Sequence, residues 1–89
     1  MAQLNVDLVA ADRKIWSGGA ERVIAPAADG EIGILADHSP LLSVLREGSV
    51  RIVGTDAENI EVRVSGGFIS VDSNQVTIVA DSVESVPGR

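Results

Sequence analysis

Ile60-Glu61-Val62-Arg63-Val64-Ser65 alternates apolar and polar residues over six positions, and an extended strand puts its apolar side chains on one face. The same period recurs where Leu4, Val6 and Leu8 interleave with Asn5 and Asp7. Val50 and Ile52 repeat it around Arg51, and Val76, Ile78 and Ala80 around Thr77 and Val79. Turn-forming clusters fall between these stretches: Asp12-Arg13, Ser17-Gly18-Gly19, Asp29-Gly30, Asp37 to Pro40, Glu47-Gly48, Gly54 to Asn59, Gly66-Gly67 and Asp72-Ser73-Asn74. Short strands between frequent turns point to a β-sandwich or a barrel. Val and Ile far outnumber Leu, and β-branched side chains suit a pleated surface. No segment keeps helical periodicity for three turns. The best helical candidate, Pro40 to Leu45, reads equally well as a buried strand. A glycine inside a strand pattern marks close backbone approach, so Gly33→Val is expected to destabilise the fold.

A chain of 89 residues has room for one domain and one core. The expected domain covers residues 1–84, and Ser85-Val86-Pro87-Gly88-Arg89 reads as a frayed end. The absence of cysteine removes disulfides and thiolate metal sites, so stability must come from the core, a partner, or both. A 45% apolar content argues against disorder. The net charge of −6, from 13 acidic and 7 basic residues, disfavours a phosphate backbone as ligand. The basic residues are scattered, and Trp16 and Phe68, the only aromatics, have no basic stripe beside them, so nucleic-acid binding is not expected. No apolar run approaches the ~20 residues that span a bilayer, and Met1-Ala2-Gln3-Leu4 does not open a signal peptide. The chain reads as soluble and intracellular, with no direct membrane insertion, and meets a membrane only through another protein.

Catalysis needs a nucleophile, a base and a group that holds charge. His38 is the sole histidine, flanked by Asp37 and Ser39, and three consecutive residues do not make a triad geometry. The plainer reading makes His38 a turn residue whose ring bonds a backbone carbonyl. Ser65-Gly66-Gly67 lacks the preceding glycine of a nucleophile elbow and reads as a bend or bulge allowing close backbone approach. The only lysine, Lys14, follows Arg13 in no P-loop, and Gly30-Glu31-Ile32-Gly33 is no dinucleotide fingerprint. Asp29, Glu31, Asp37 and His38 lack metal-ligand spacing. No catalytic residue, cofactor or metal site is expected. From Gly30 to Leu45 apolar residues crowd around Asp37-His38-Ser39-Pro40. Either Ile32, Ile34, Leu35, Leu41, Leu42 and Leu45 all enter the core, or some of Leu35, Leu41 and Leu42 form an exposed anchor for a partner.

Gly30-Glu31-Ile32-Gly33-Ile34-Leu35, then Asp37-His38-Ser39-Pro40-Leu41-Leu42, resembles the hallmark of the ATP synthase epsilon family, Gly-x-Leu-Gly-Ile-x-Pro-x-His-x-Pro-Leu-Leu. Val64-Ser65-Gly66-Gly67-Phe68-Ile69-Ser70-Val71 is similar to its Ser-Gly-Gly-Phe segment, and Val76-Thr77-Ile78-Val79-Ala80-Asp81 to its closing strand. The opening, Leu4 to Val9 and then Ile15-Trp16-Ser17-Gly18, also fits in position and spacing. The likeness is collinear over nearly the whole chain. Ala36 stands where the family usually has Pro, and Ser70 where it commonly has Glu. The pair of helices that usually follows is absent, so either the chain was cut or it is a naturally short form. Inhibitory and nucleotide-sensing roles tied to those helices are not carried over.

The resemblance implies an all-β fold, a small antiparallel β-sandwich of about ten short strands, in the central stalk of an F-type ATP synthase. It implies two partners, the gamma subunit and the ring of c subunits, and rotation passed between them without chemistry. It also implies a peripheral place on the cytoplasmic face of the energy-transducing membrane. By position in the motif, Gly30, Glu31 and Ile32 are expected to face the c-ring. His38, Ser39, Pro40, Leu41 and Leu42 are expected to face gamma. Two other readings compete: a carrier domain of lipoyl or biotinyl type, which lacks its mid-chain lysine here, and a small hydrolase using His38 and Ser39.

Overall fold

The alternating stretches are strands. A computed structural model describes residues 3–55 and 59–85. Its strands are β1 (Leu4–Ala10), β2 (Arg13–Ala27), β3 (Gly30–Leu35), β4 (Leu41–Leu45), β5 (Gly48–Gly54), β6 (Asn59–Val64), β7 (Gly67–Asp72), β8 (Gln75–Ala80) and β9 (Val83–Ser85). No helix occurs among the described residues.

Two layers share one long strand. The first half of the 15-residue β2 pairs with β1, beyond which lie β8, β7 and β4. Its second half runs between β3 and β5, and β5 leads on to β6 and β9. The handover falls at Ala20 to Arg22, where the register against β5 slips. With the halves of β2 counted separately, each layer has five strands, in keeping with the expected ten. Every pairing is antiparallel except β1 with β8, which is parallel. The least dimension of the molecule, 23 Å, suits two sheets about 10 Å apart with side chains on both outer faces.

The inward residues of both layers form one cluster. Leu4, Val6 and Leu8 of β1, with Val76 and Ile78 of β8, share it with Ile34, Val50, Ile52, Val62 and Val64 of the second layer. Among the described residues eleven large side chains are under 2% exposed, and nine of them are Val or Ile. Burying each contributes about 1.5–3 kcal/mol. No polar side chain is buried among the described residues, so no polar desolvation penalty is set against that gain inside the core.

Several local expectations change. Ser17-Gly18-Gly19 is not a turn but lies within β2, opposite Asp7, Val6 and Asn5. Gly18 makes room for an indole: a Cβ there would sit 3.0 Å from ring atoms of Trp16, which packs against the core, whereas a Cβ on Gly19 would meet the Gln3 side chain. Pro40 to Leu45 contains no helix, and β4 occupies Leu41–Leu45 with one face exposed. Gly33 marks no close approach, since nothing lies within 4 Å of a Cβ built there. Close approach occurs instead at Gly67, as read for the Ser65-Gly66-Gly67 bend. There φ is +135°, and a Cβ would strike the Val79 carbonyl and lie 2.9 Å from Cα of Ala80. The expected frayed end lies outside the described residues apart from Ser85, which closes β9. Half of the Gly54 to Asn59 turn, residues 56–58, lies outside them too.

Candidate partner-docking surfaces

The segment from β2 to β4 carries every sequence-expected contact and places them at two ends of β3. At one end, Ala28 and Asp29 turn the chain between the paired residues Ala27 and Gly30. Gly30 adopts φ +126°, a region that L side chains avoid, although nothing lies within 4 Å of a Cβ built there. The Ala28 N–H donates to the Val44 carbonyl at 3.0 Å and ties this hairpin to β4. Glu31 projects outward opposite Pro26, and among the described residues no cation pairs with its carboxylate. Ile32, grouped with it by sequence, points inward and packs against the core. Of those three residues only Glu31 offers an outward side chain.

At the other end, a tight turn covers 36–40. Asp37 has φ +65°, and its N–H donates to Asn74 Oδ1 at 2.6 Å, while Asn74 Nδ2 donates to Asp37 Oδ1 at 3.3 Å. Asn74 sits in the β7–β8 hairpin with φ +64°, so two left-handed turns clasp each other. The His38 N–H donates to Leu35 O at 3.2 Å, and its Nδ1 donates to the Ser39 carbonyl at 2.7 Å. The ring therefore bonds the backbone of Ser39 and not its hydroxyl, as the plainer reading of His38 held. Ser39 and Pro40 are exposed. The ends of β3 lie about 17 Å apart at ~3.3 Å per residue. Asp29 and Glu31 are thus held away from Asp37 and His38, and among the described residues no three potential metal ligands come together.

Beyond the turn an apolar surface opens. Leu41 packs against the core, but Leu42 is 74% exposed, and Val44, two places on, is 63% exposed. Phe68, the cross-strand partner of Val44 on β7, is 48% exposed. Phe68 in turn pairs with Val79 on β8, and Val79 with Val9 on β1, both half-buried. The outer face of the first layer thus carries an apolar row, Val44-Phe68-Val79-Val9, with Leu42 beside it. Leu35 is also exposed, at 59%, but on the outer face of the second layer opposite Arg22. Leu35, Leu41 and Leu42 therefore form no common anchor. Sequence reasoning missed Val44 and Phe68, because Leu41-Leu42-Ser43-Val44-Leu45 is apolar on both strand faces and alternation cannot rank them.

The second layer turns a different chemistry outward. Arg51 stands opposite Glu61 and Arg63 opposite Glu84 on adjacent strands, and Arg63 reaches Glu47 at 4.0 Å. Charges of both signs are interleaved there, which suits water.

Comparison with known proteins agrees with the fold. The family model for the β-sandwich domain of the ATP synthase delta/epsilon chain matches residues 3–86. The ATP synthase epsilon chain of Micrococcus luteus is 48% identical over 82 residues, covering 92% of this chain and 90% of that one. That of Streptomyces avermitilis is 46% identical over 83 residues, covering 93% of this chain and 67% of its own. Among solved structures, a chain of the Euglena gracilis mitochondrial ATP synthase superposes with a TM-score of 0.91 at 22% identity. The match covers all of this chain and 57% of that one, and at such identity it speaks for the fold alone.

Proposed function

This chain belongs to the ATP synthase delta/epsilon family as its β-sandwich domain, and from that membership we propose a non-catalytic central-stalk role, docking on the gamma subunit and on the c-ring. In this reading it couples ion-driven rotation to ATP synthesis from the cytoplasmic face of an energy-transducing membrane. The observation that carries it is the exposed apolar surface of Leu42, Val44 and Phe68 beside the clasped turn at 37–40. Large apolar side chains standing together in water mark an interaction site, and an anchor held by hydrogen bonds loses little entropy on binding. Gamma takes this side, with His38, Ser39 and Pro40 at its rim and Leu42 within it. Leu41 supports the site from below.

The c-ring takes the other end of β3, where Glu31 leaves Gly30 as an outward carboxylate. A basic or amide group on a polar loop of the ring would complement it. Ile32 holds this turn to the core and makes no contact of its own. One outward carboxylate and one apolar outer face, made by different strands, suit a body gripped at two places.

Titration calorimetry of this chain against purified gamma tests the reading. One-to-one binding is expected, weakened about tenfold or more by Leu42→Asp or Phe68→Asp, since each removes ~1.5 kcal/mol or more of apolar burial. Glu31→Arg should leave that affinity unchanged. Absence of binding, or affinity indifferent to Leu42 and Phe68, overturns the assignment of this face to gamma.

A further inference from the structure

The same region has a second property, which lies in the backbone of β4. β4 is the last strand of the first layer: it pairs with β7 along one edge and meets β2 only at Leu45 opposite Ala27. The Val44 carbonyl accepts from Ala28 at 3.0 Å, and the Arg46 N–H donates to Pro26 O at 2.7 Å, both on the side away from β7. Antiparallel strands direct alternate residues to alternate edges. Even-numbered residues of β4 therefore turn their polar groups to the open edge. Along that edge Pro40 offers a carbonyl and no N–H, Leu42 offers both groups, and Val44 offers an N–H, its carbonyl being taken.

This pattern is its own complement. Antiparallel pairing about a two-fold axis at Leu42 sets Leu42 against Leu42 of a second copy, and Val44 against Pro40. Each Leu42 N–H then meets the other Leu42 carbonyl, and each Val44 N–H meets a Pro40 carbonyl. No donor is left over, and the missing N–H of Pro40 falls where the acceptor is already occupied. Sliding by two residues loses this match, because it brings the Leu42 N–H to the occupied Val44 carbonyl. The side chains agree: the axis puts both Leu42 residues together on the outer face, flanked by Val44 and Phe68 of each copy. Residues 41–45 carry no charge and no bulge, the usual guards of an exposed edge.

We propose that two copies of this chain join edge to edge through β4 when no partner covers that face, forming one continuous outer sheet with isologous symmetry. The contact uses the open edge of β4 and the paired Leu42 side chains, so self-pairing competes with any partner that reaches Leu42 from that edge. It concerns the chain alone and stands or fails independently of the stalk role.

Sedimentation velocity over a micromolar-to-millimolar range tests it on the full chain. The average mass should rise from monomer towards dimer. Leu42→Lys sets two like charges across the axis and should weaken the dimer about tenfold or more. Arg51→Glu, on the opposite face, should leave the curve unchanged. A second readout uses the absence of native cysteine. Residues of a hydrogen-bonded antiparallel pair lie about 5.5 Å apart at Cα, within disulfide reach. Leu42→Cys should therefore oxidise to a covalent dimer faster than Arg51→Cys does. A monomer at every concentration, a dimer indifferent to Leu42→Lys, or equal cross-linking of the two cysteine variants would each overturn the proposal.

Discussion

Two glycines in strands make opposite demands, and exchanging them for larger residues separates their reasons. Gly67 holds φ +135° at the start of β7, where a Cβ would meet the Val79 carbonyl and Cα of Ala80. Gly67→Ala forces an L residue into a region costing about 1–3 kcal/mol. It must also push β8 away from β7, which disturbs the pairing of Ile69 with Ile78 in the core. Together these cost about 3 kcal/mol, out of the 5–15 kcal/mol that hold a domain of this size. At 4–8 °C per kcal/mol, the melting midpoint should fall by roughly 12–24 °C. Gly33 lies on an outer face with nothing within 4 Å of its Cβ position and no positive φ. Gly33→Val should instead gain about 0.5–1 kcal/mol, because valine has less chain entropy to lose and fits a pleated strand. Thermal melts by circular dichroism, with urea titrations to check that the m-value holds, read both variants. A Gly33→Val protein less stable than the parent by 1 kcal/mol or more, on the scale of strand propensities, or a Gly67→Ala protein melting with the parent, would refute the steric account.

Four further substitutions have defined expected outcomes. Asn74→Gly keeps the left-handed turn but removes the clasp to Asp37, and should cost about 1 kcal/mol with faster hydrogen exchange of the Asp37 amide. Asn74→Ala should cost more, because it also strains φ. Glu31→Arg should leave the melting midpoint within about 2 °C of the parent, since the side chain is exposed, while lowering ATP-driven ion pumping in the reassembled enzyme. Ile69→Ala, which opens a cavity in a site with no solvent access, should lose about 2–5 kcal/mol by urea titration.

What could be read in advance followed from side-chain period. β1, β5, β6 and β8 alternate cleanly, so their inward residues were legible before any coordinates. β4 was not, because both of its faces are apolar and a single run of five residues holds no phase information. The same ambiguity hid Val44 and Phe68, whose exposure depends on which strand lies beside them. Gly18 and Gly33 misled for a related reason: glycine signals freedom at a position, not whether an indole, a turn or open water uses it. The clasp between Asp37 and Asn74 joins turns 37 residues apart, and nothing local to either turn announces the other. The division of Gly30, Glu31 and Ile32 into one outward carboxylate and one inward isoleucine needed only strand period applied to β3.

Because β2 belongs to both layers, its backbone is also a covalent tie across the thickness of the sandwich. A push on Glu31 enters β3, passes by hydrogen bonds into the second half of β2, and continues along peptide bonds into the half that pairs with β1. From there β8 and β7 carry it to Phe68 and Leu42, and the bridge from Ala27 to Leu45 offers a shorter route. Neither route depends on side chains sliding over one another. Shear between the layers has to bend a polypeptide or break a ladder, so load applied at one end of β3 arrives at the apolar face with little lost motion.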